Sequence, residues 1–380
     1  VDLVLRLLHT GDVHLGRPFG LLGDFGRIVR QQIRATFSRV LALGRERNAA
    51  AILIAGDLFD AERPDPSDLR FVLEEVRKLR PLPVYLLPGT HDLLGPHSVY
   101  RRIPERPDNL FVFDQDGPHT FVHDALGLAV HARATHAKRG GEPPLAGIHA
   151  DPRARYNIAM AHASVPRADI PADSEHDAVV TEAEIRRTGV RYVALGHWHK
   201  TAEYFPGNAF RTWYAGSPET LQFEDGDGSG YALEVVLGDD RVEVTPHRVG
   251  RYEWREVAIA VPPEGAEEGV RQAILQHEGP NRIVRVRLAG DLPAAAVFDA
   301  QALKEQCVGR FAHLSVETDA LRTRWEQFDA TTVFPDGTIG AAFVRLALER
   351  LAQAGEEGRP LWEEVLRRGT ALLANREDIG

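Results

Sequence analysis

The chain has 380 residues, enough for two or three domains of ~100–200 residues each. With 43% apolar and 26% charged residues it can bury a core, which excludes a disordered chain. Its net charge of −10 excludes a generally basic nucleic-acid-binding surface but not a local groove. The single cysteine, Cys307, excludes an intramolecular disulfide or a cysteine-caged zinc and suits a reducing cytoplasm. There is no apolar, uncharged run of about 18 residues to span a membrane. The first ten residues, with Asp2 and Arg6, lack the basic start and small-residue cleavage site of a secretory signal. All 45 basic residues except Lys78, Lys138, Lys200 and Lys304 are arginine, so arginine clusters carry little weight as motifs.

Residues 3–8 read as a strand that ends in His9-Thr10-Gly11-Asp12-Val13-His14. Residues 25–45 follow as a helix, with Phe25, Val29, Ile33, Phe37, Val40 and Leu41 approximating one stripe. The apolar run 50–55 reads as a buried strand ending at Gly56-Asp57-Leu58-Phe59-Asp60. Ser67 suits the N-cap of a helix reaching residue 80. The next strand, 84–87, ends at Pro88-Gly89-Thr90-His91-Asp92. Irregular sequence fills about 95–150, with short strands expected near 110–113 and 128–131. A strand over 156–161 ends at His162, and Thr181 with Glu184 forms a capping-box pattern for a helix that stops at Gly189. Strand 192–195 ends at Gly196-His197-Trp198-His199, and β-rich sequence continues to 247. Beyond Arg251, strands over 253–261 and 282–288 flank a helix near 269–277, and helical patterns over 339–354 and 360–374 close the chain. Such alternation marks an α/β protein.

Five strand ends therefore deposit Asp12 and His14, Asp57, His91 with Asp92, His162, and His197 with His199. Ligands of open α/β sheets gather beyond the carboxyl ends of strands. Alternate residues of an extended segment share a side, so Asp-x-His and His-x-His pairs can converge on one centre. Mixed carboxylate and imidazole ligands suit manganese, iron or zinc better than calcium or magnesium. A lone histidine is more often a hydrogen-bonded core or surface residue, and Asp57 or Asp92 alone could simply cap a turn. Five such groups in order at strand ends make the bland reading of the whole set improbable.

The chain resembles the calcineurin-like metallophosphoesterases, and more narrowly the SbcD-type nuclease subunit of double-strand-break repair complexes. The resemblance rests on residues 8–16, on Gly56-Asp57-Leu58-Phe59-Asp60, on Gly196-His197-Trp198-His199 and on Tyr214-Ala215-Gly216-Ser217-Pro218-Glu219. It covers about 1–250 with specific motifs and thins beyond that. It implies a four-layer metallophosphoesterase β-sandwich flanked by helices (1–250), a small α/β capping domain (251–335) and a helical C-terminal tail (336–380). In that family the tail docks on an SbcC-like coiled-coil ATPase, and homodimers are common. Carried over by position, Asp12, His14 and His199 would hold one metal, Asp57 would bridge, and His162, His197 and Thr90 would complete the second site. The family has Asn where this chain has Thr90, a shorter and poorer neutral ligand, so a weaker second site is expected. The implied cofactors are two divalent ions, manganese first, with iron, zinc or magnesium as alternatives. His91 would protonate the leaving oxygen, Asp92 or another carboxylate would orient it, and Asp60 would be supporting.

The resemblance thus implies a cytoplasmic, metal-dependent DNA nuclease of a repair or defence complex. The alternatives are a phosphoesterase acting on small nucleotides or phosphoproteins, and a DNA-binding scaffold weakened by Thr90. Arg17, Arg101, Arg102, Lys138, Arg139, Arg153 and Arg155 are candidate phosphate contacts, and Phe19 and Trp198 candidate stacking residues, none singled out by the sequence. The apolar faces of the two terminal helices serve either packing on the rest of the chain or docking on the ATPase.

Overall fold

The computed structural model describes residues 4–137, 142–166, 178–261, 266–293, 300–324 and 330–374. The chain divides into two compact units, residues 1–252 and 253–380. The first unit runs β1 (Leu5–Thr10), α1 (Phe25–Glu46), β2 (Ala51–Ala55), α2 (Pro66–Lys78), β3 (Val84–Leu87), β4 (Leu110–Val112), β5 (Pro118–His123), β6 (Leu128–Arg133), β7 (Tyr156–His162), α3 (Glu182–Thr188), β8 (Tyr192–Gly196), β9 (Ala202–Tyr204), β10 (Arg211–Tyr214), β11 (Tyr231–Leu237) and β12 (Val242–Arg248). These strands form two six-stranded sheets, ordered β12-β11-β1-β2-β3-β4 and β5-β6-β7-β8-β10-β9.

The apolar runs explain why the sheets stack. In β2, Ala51, Leu53 and Ala55 face the inter-sheet core with Leu5, Leu7, Leu233 and Val235, and meet Val130, Ile158, Met160 and Ala194 of the second sheet. Alternate residues of the second sheet, Ala159, Ala161, Val193 and Leu195, point the other way and pack with Ile185 of α3. Gly44 of α1 lies against Ile52, so α1 covers the outer face of the first sheet. Strands buried on both faces read as continuous hydrophobic runs rather than alternating ones. The result is a four-layer sandwich with helices outside both sheets.

Several local expectations change. Helix α2 is capped by Asp65, whose side chain accepts from Ser67 N at 2.7 Å, with Pro66 in the first turn, so Ser67 is not the cap. Thr181 and Glu184 do form the capping box. Strands β5 and β9 have no counterpart in the sequence reading; both are largely half-exposed, so no apolar run announces them.

In the second unit, β13 (Glu253–Ala260), α4 (Ala266–Leu275), β14 (Gly279–Pro293), α5 (Ala300–Gln306) and β15 (Phe311–Arg324) form an all-parallel three-stranded sheet in chain order. Val270, Ile274 and Leu303 from the helices pack on Val284, Val286 and Leu288. Arg285 and Arg287 of β14 form ion pairs with Glu256 and Glu317 on the flanking strands at 3.0–3.3 Å. Helices α6 (Ile339–Gln353) and α7 (Arg359–Ala374) close on one another through Val344, Ala347, Leu351 and Leu366, with Phe343 and Trp362 at the margin. Leu346, Leu361 and Leu372 remain exposed. Among the described residues no helix is long and apolar enough to cross a membrane.

Candidate metal centre

The carboxyl ends of β1, β2, β3, β7 and β8 meet at one place. Asp12, His14 and His199 bring one ligand atom each to within 4.8 Å of one another, and Asp12, Asp57 and His162 do the same. Asp12 belongs to both groups. Thr90 Oγ1 stands 3.4 Å from both Asp57 Oδ2 and His162 Nε2, and the His197 ring lies 5.2 Å from that of His162. His91 and Asp60 form a third group with His14.

The convergence does not arise from strand alternation. Strand β1 ends at Thr10 and β8 at Gly196, and the ligand-type residues lie in the turns that follow. Asp12, His14, Asp57 and His197 have φ of 50°, 52°, 48° and 106°, four of the seven described non-glycine residues with positive φ. Such strain persists only where the surroundings over-determine it, and it clusters at functional sites. Here loops 12–15 and 56–60 hold each other: Asp12 N donates to Gly56 O, His14 N to Asp57 O, and Asp60 N to Leu15 O. Two glycines let the loops close. A Cβ on Gly89 would collide with Asp57 Oδ1, and one on Gly196 with Ala55 O.

Each of three imidazoles is held by its Nδ1. His14 Nδ1 pairs with Asp60 Oδ1 at 2.9 Å, His162 Nδ1 with Ala55 O at 2.9 Å, and His199 Nδ1 with Asp225 Oδ2 at 3.2 Å. Holding Nδ1 leaves Nε2 as the available lone pair, the arrangement by which metal-ligating histidines are oriented. His14 Nε2 is fully buried and has no hydrogen-bond partner, an orphan atom 3.7 Å from Asp57 Oδ2. The donor set and this orphan fit a pair of divalent cations.

The electrostatics agree. Burial raises the cost of ionising Asp57, but His162, 3.3 Å away, with His14 and the His91 amide, outweighs it and holds the carboxyl far below its usual range. Burial likewise opposes charge on His162, yet Asp57 and Asp12 lift its pKa to about 9. Burial pushes Asp12 up to about 7, only partly relieved by His162 and His199. Without cations the cluster thus retains protons that a bound ion would displace.

His91 stands at the rim with its side chain 41% exposed, its ring edge-on to His14 at 4.6 Å. The assignment of Asp92 as its partner is corrected. Asp92 is fully buried and accepts from Gly89 N at 2.7 Å, Phe59 N at 3.0 Å and the Tyr100 hydroxyl, so it braces the two loops. The carboxylate beside His91 Nδ1 is Asp60, at 3.5 Å. Asp225, missed in the sequence, lies in the Glu-Asp-Gly-Asp-Gly run 224–228, which resembles any polar turn. Of the candidate phosphate contacts, Arg153 and Arg155 are corrected outright. They precede β7, about 20 Å from its His162 end at ~3.3 Å per residue, and pair with Asp151 and Asp239. Arg101 is engaged with Asp116 and the Leu94 and Gly95 carbonyls, Arg17 lies 3.7 Å from Asp60, and Arg102 is exposed. Phe19 is buried and Trp198 packs on the α3-side core, so neither is a free stacking surface. Lys138 and Arg139 lie outside the described residues.

The calcineurin-like phosphoesterase family model matches residues 5–201. The DNA double-strand break repair protein Mre11 of Methanopyrus kandleri is 27% identical over 296 residues, 71% of this chain and 62% of that protein. The Mre11 protein of Aeropyrum pernix is 38% identical over 282 residues, 69% of this chain and 65% of that one. That of Methanosarcina acetivorans is 21% identical over 97% of this chain and 58% of its own length. The chain thus spans less than two thirds of the length of these relatives. With a match over more than half its residues, converging on the loops just described, the chain belongs to the calcineurin-like phosphoesterase family.

Proposed function

We propose that this protein is a metal-dependent phosphodiesterase that cleaves DNA, working as the nuclease part of a double-strand-break repair complex. The observation that carries the reading is the cluster in which Asp12 joins His14 and His199 on one side and Asp57 and His162 on the other, with the three imidazoles each held by Nδ1. The similarity to Mre11 proteins supports DNA as the substrate. Asp12, His14 and His199 would hold one cation, and Asp57, His162, His197 and Thr90 the other, with Asp57 shared. Two divalent cations in such a cradle supply charge neutralisation of a phosphate ester and acidification of water; manganese suits the mixed donor set.

The chain's own residues supply the rest. Asp57 is anchored through Oδ1 by the His91 amide at 2.8 Å, which fixes the loop carrying His91 relative to the cluster. His91, half exposed at the rim, is placed to give a proton to the departing oxygen, and Asp60 orients its ring. Asp92 and Tyr100 hold the loop from beneath. We assign 251–335 as an accessory cap and 336–380 as the segment that meets a coiled-coil ATPase. The exposed Leu346, Leu361 and Leu372 support that assignment.

Elemental analysis after manganese loading, with hydrolysis of a small phosphodiester and of linear DNA, tests the reading. Two ions per chain and diester cleavage abolished by EDTA are expected; cleavage of monoesters alone, or no bound metal, would sink it. Thr90→Asn should raise second-site occupancy and turnover several-fold, because an amide carbonyl reaches further than the threonine hydroxyl. A pair of metals that Thr90→Asn leaves unchanged would show that position 90 does not limit the site.

A further inference from the structure

A cleft of about 630 Å³ opens beside the metal centre, floored by Leu15 and Gly16 and walled by α1 and residues 60–68. Asp60, which touches His14 and His91, is part of that wall, so the cleft leads off the side of the centre where His91 stands. Arg27, Arg30, Arg34 and Arg63 line it, and their surroundings differ. Arg34 is committed to Asp68 at 2.6 Å and to Ser67 at 2.9 Å. Arg27 meets only Asp24, a fully solvated i,i+3 pair that water and salt screen. Arg30 and Arg63 are exposed, and no hydrogen bond or ion pair within the described residues reaches them. The acids of the same wall are already engaged: Asp60 by two histidines, Asp65 by the Ser67 amide, Asp68 by Arg34. Uncommitted cations thus collect in one cleft of a chain whose net charge is −10.

A second cleft, of about 440 Å³, reaches the centre at His162 and carries Arg133, Thr135 and His136. Arg133 Nε is buried there without a partner. The larger cleft adjoins the centre through Asp60 and the smaller one through His162, and two approaches suit a polymer, whereas a mononucleotide needs one.

We propose that the larger cleft holds the sugar–phosphate backbone of a single polynucleotide strand, with Arg27, Arg30 and Arg63 on its phosphates and an adjoining linkage at the metal centre. The proposal rests on the phosphodiesterase reading and names the track by which the strand enters. Arg27 and Arg30 are one helical turn apart, about 5–6 Å between their Cβ atoms, on the scale of neighbouring phosphates in an extended strand. Arg63 faces them across the cleft. A groove of cations that follows the backbone is how single strands are bound without sequence preference. A phosphopeptide, with isolated phosphates, would use one of the three.

The test is fluorescence anisotropy of a labelled single-stranded oligonucleotide in EDTA, so that no turnover is involved. Arg30→Glu with Arg63→Glu should weaken binding about tenfold or more. The slope of log affinity against log salt should fall in magnitude by about 1.4, at ~0.7 per lost phosphate contact. The milder pair Arg30→Gln with Arg63→Gln should lose the same slope, and Arg153→Glu with Arg155→Glu should lose neither. Unchanged affinity and slope in the Arg30/Arg63 pairs overturns the proposal, as does a wild type that prefers a phosphopeptide or a blunt duplex to the single strand. Small-diester hydrolysis with manganese reports on the centre separately. Turnover there without strand binding removes the cleft alone; strand binding that depends on Arg30 and Arg63, in a protein that hydrolyses nothing, keeps the cleft and removes the phosphodiesterase reading.

Discussion

The two ends of the strands in the first unit are built on opposite principles. At the carboxyl ends Asp12, His14, Asp57 and His162 are almost wholly buried, three of them in left-handed backbone, and their polar atoms face one another. At the amino ends Arg6 lies 3.9 Å from Glu234, Arg155 pairs with Asp239, and Arg191 donates to the Gly238 carbonyl, all in water's reach. Charges held close in a dry setting interact strongly and cannot be traded for solvent, whereas exposed pairs contribute ~0–1 kcal/mol. The same sheet therefore tolerates change at one end and is intolerant at the other.

The comparison can be broken or sharpened by substitution. The largest effect is expected from His91→Ala, which should keep both metals by elemental analysis yet lose ~10²–10⁴ in diester turnover, the span of a positioned proton donor. Full turnover in that variant removes His91 from the chemistry. Next comes Asp225→Ala, which frees His199 Nδ1 and should weaken manganese binding by ~10–100-fold in a calorimetric titration; unchanged affinity would show that His199 is oriented without it. A pH series comes third. In the metal-free fold His162 keeps its proton up to about 9, so an ion must displace it, and apparent manganese affinity should climb as pH rises from the ordinary histidine range towards 9 and then level off. An affinity flat across that window contradicts the His162–Asp57 pairing. The smallest effect belongs to Arg155→Ala: a stability loss of at most ~1 kcal/mol in urea and no change in turnover. A large loss of activity there would mean that the two ends are not independent.

How much of this could be read from residues alone follows from where the information sits. The strands are readable because burial on both faces forces uninterrupted apolar runs such as 50–55, and the motifs are readable because each follows such a run. The means of convergence is not, since a positive φ at Asp12 or His197 leaves no trace in an aspartate or a histidine. Long-range partners are equally silent. Asp225 is 26 residues from His199, and the Ala55 carbonyl that orients His162 comes from another sheet. Asp92 sits next to His91 in sequence, which invites the pairing; the backbone turns its carboxylate inward to Tyr100, and Asp60 takes the place instead. Strand β15 escapes notice because it is a half-exposed edge whose residues alternate poorly.

The left-handed backbone at Asp12, His14 and Asp57 has a further consequence. Glycine would relax the backbone of these turns by about 1–3 kcal/mol each, but at Asp12 and Asp57 it would also strip the acceptors from the His197 and His91 amides and leave the buried His162 without its counter-charge, losses of similar or larger size. The strain is thus locked in by the very side chains that bear it, and a laboratory selection for heat resistance gains nothing by trading them for glycine. Libraries meant to toughen this scaffold need those three codons held fixed.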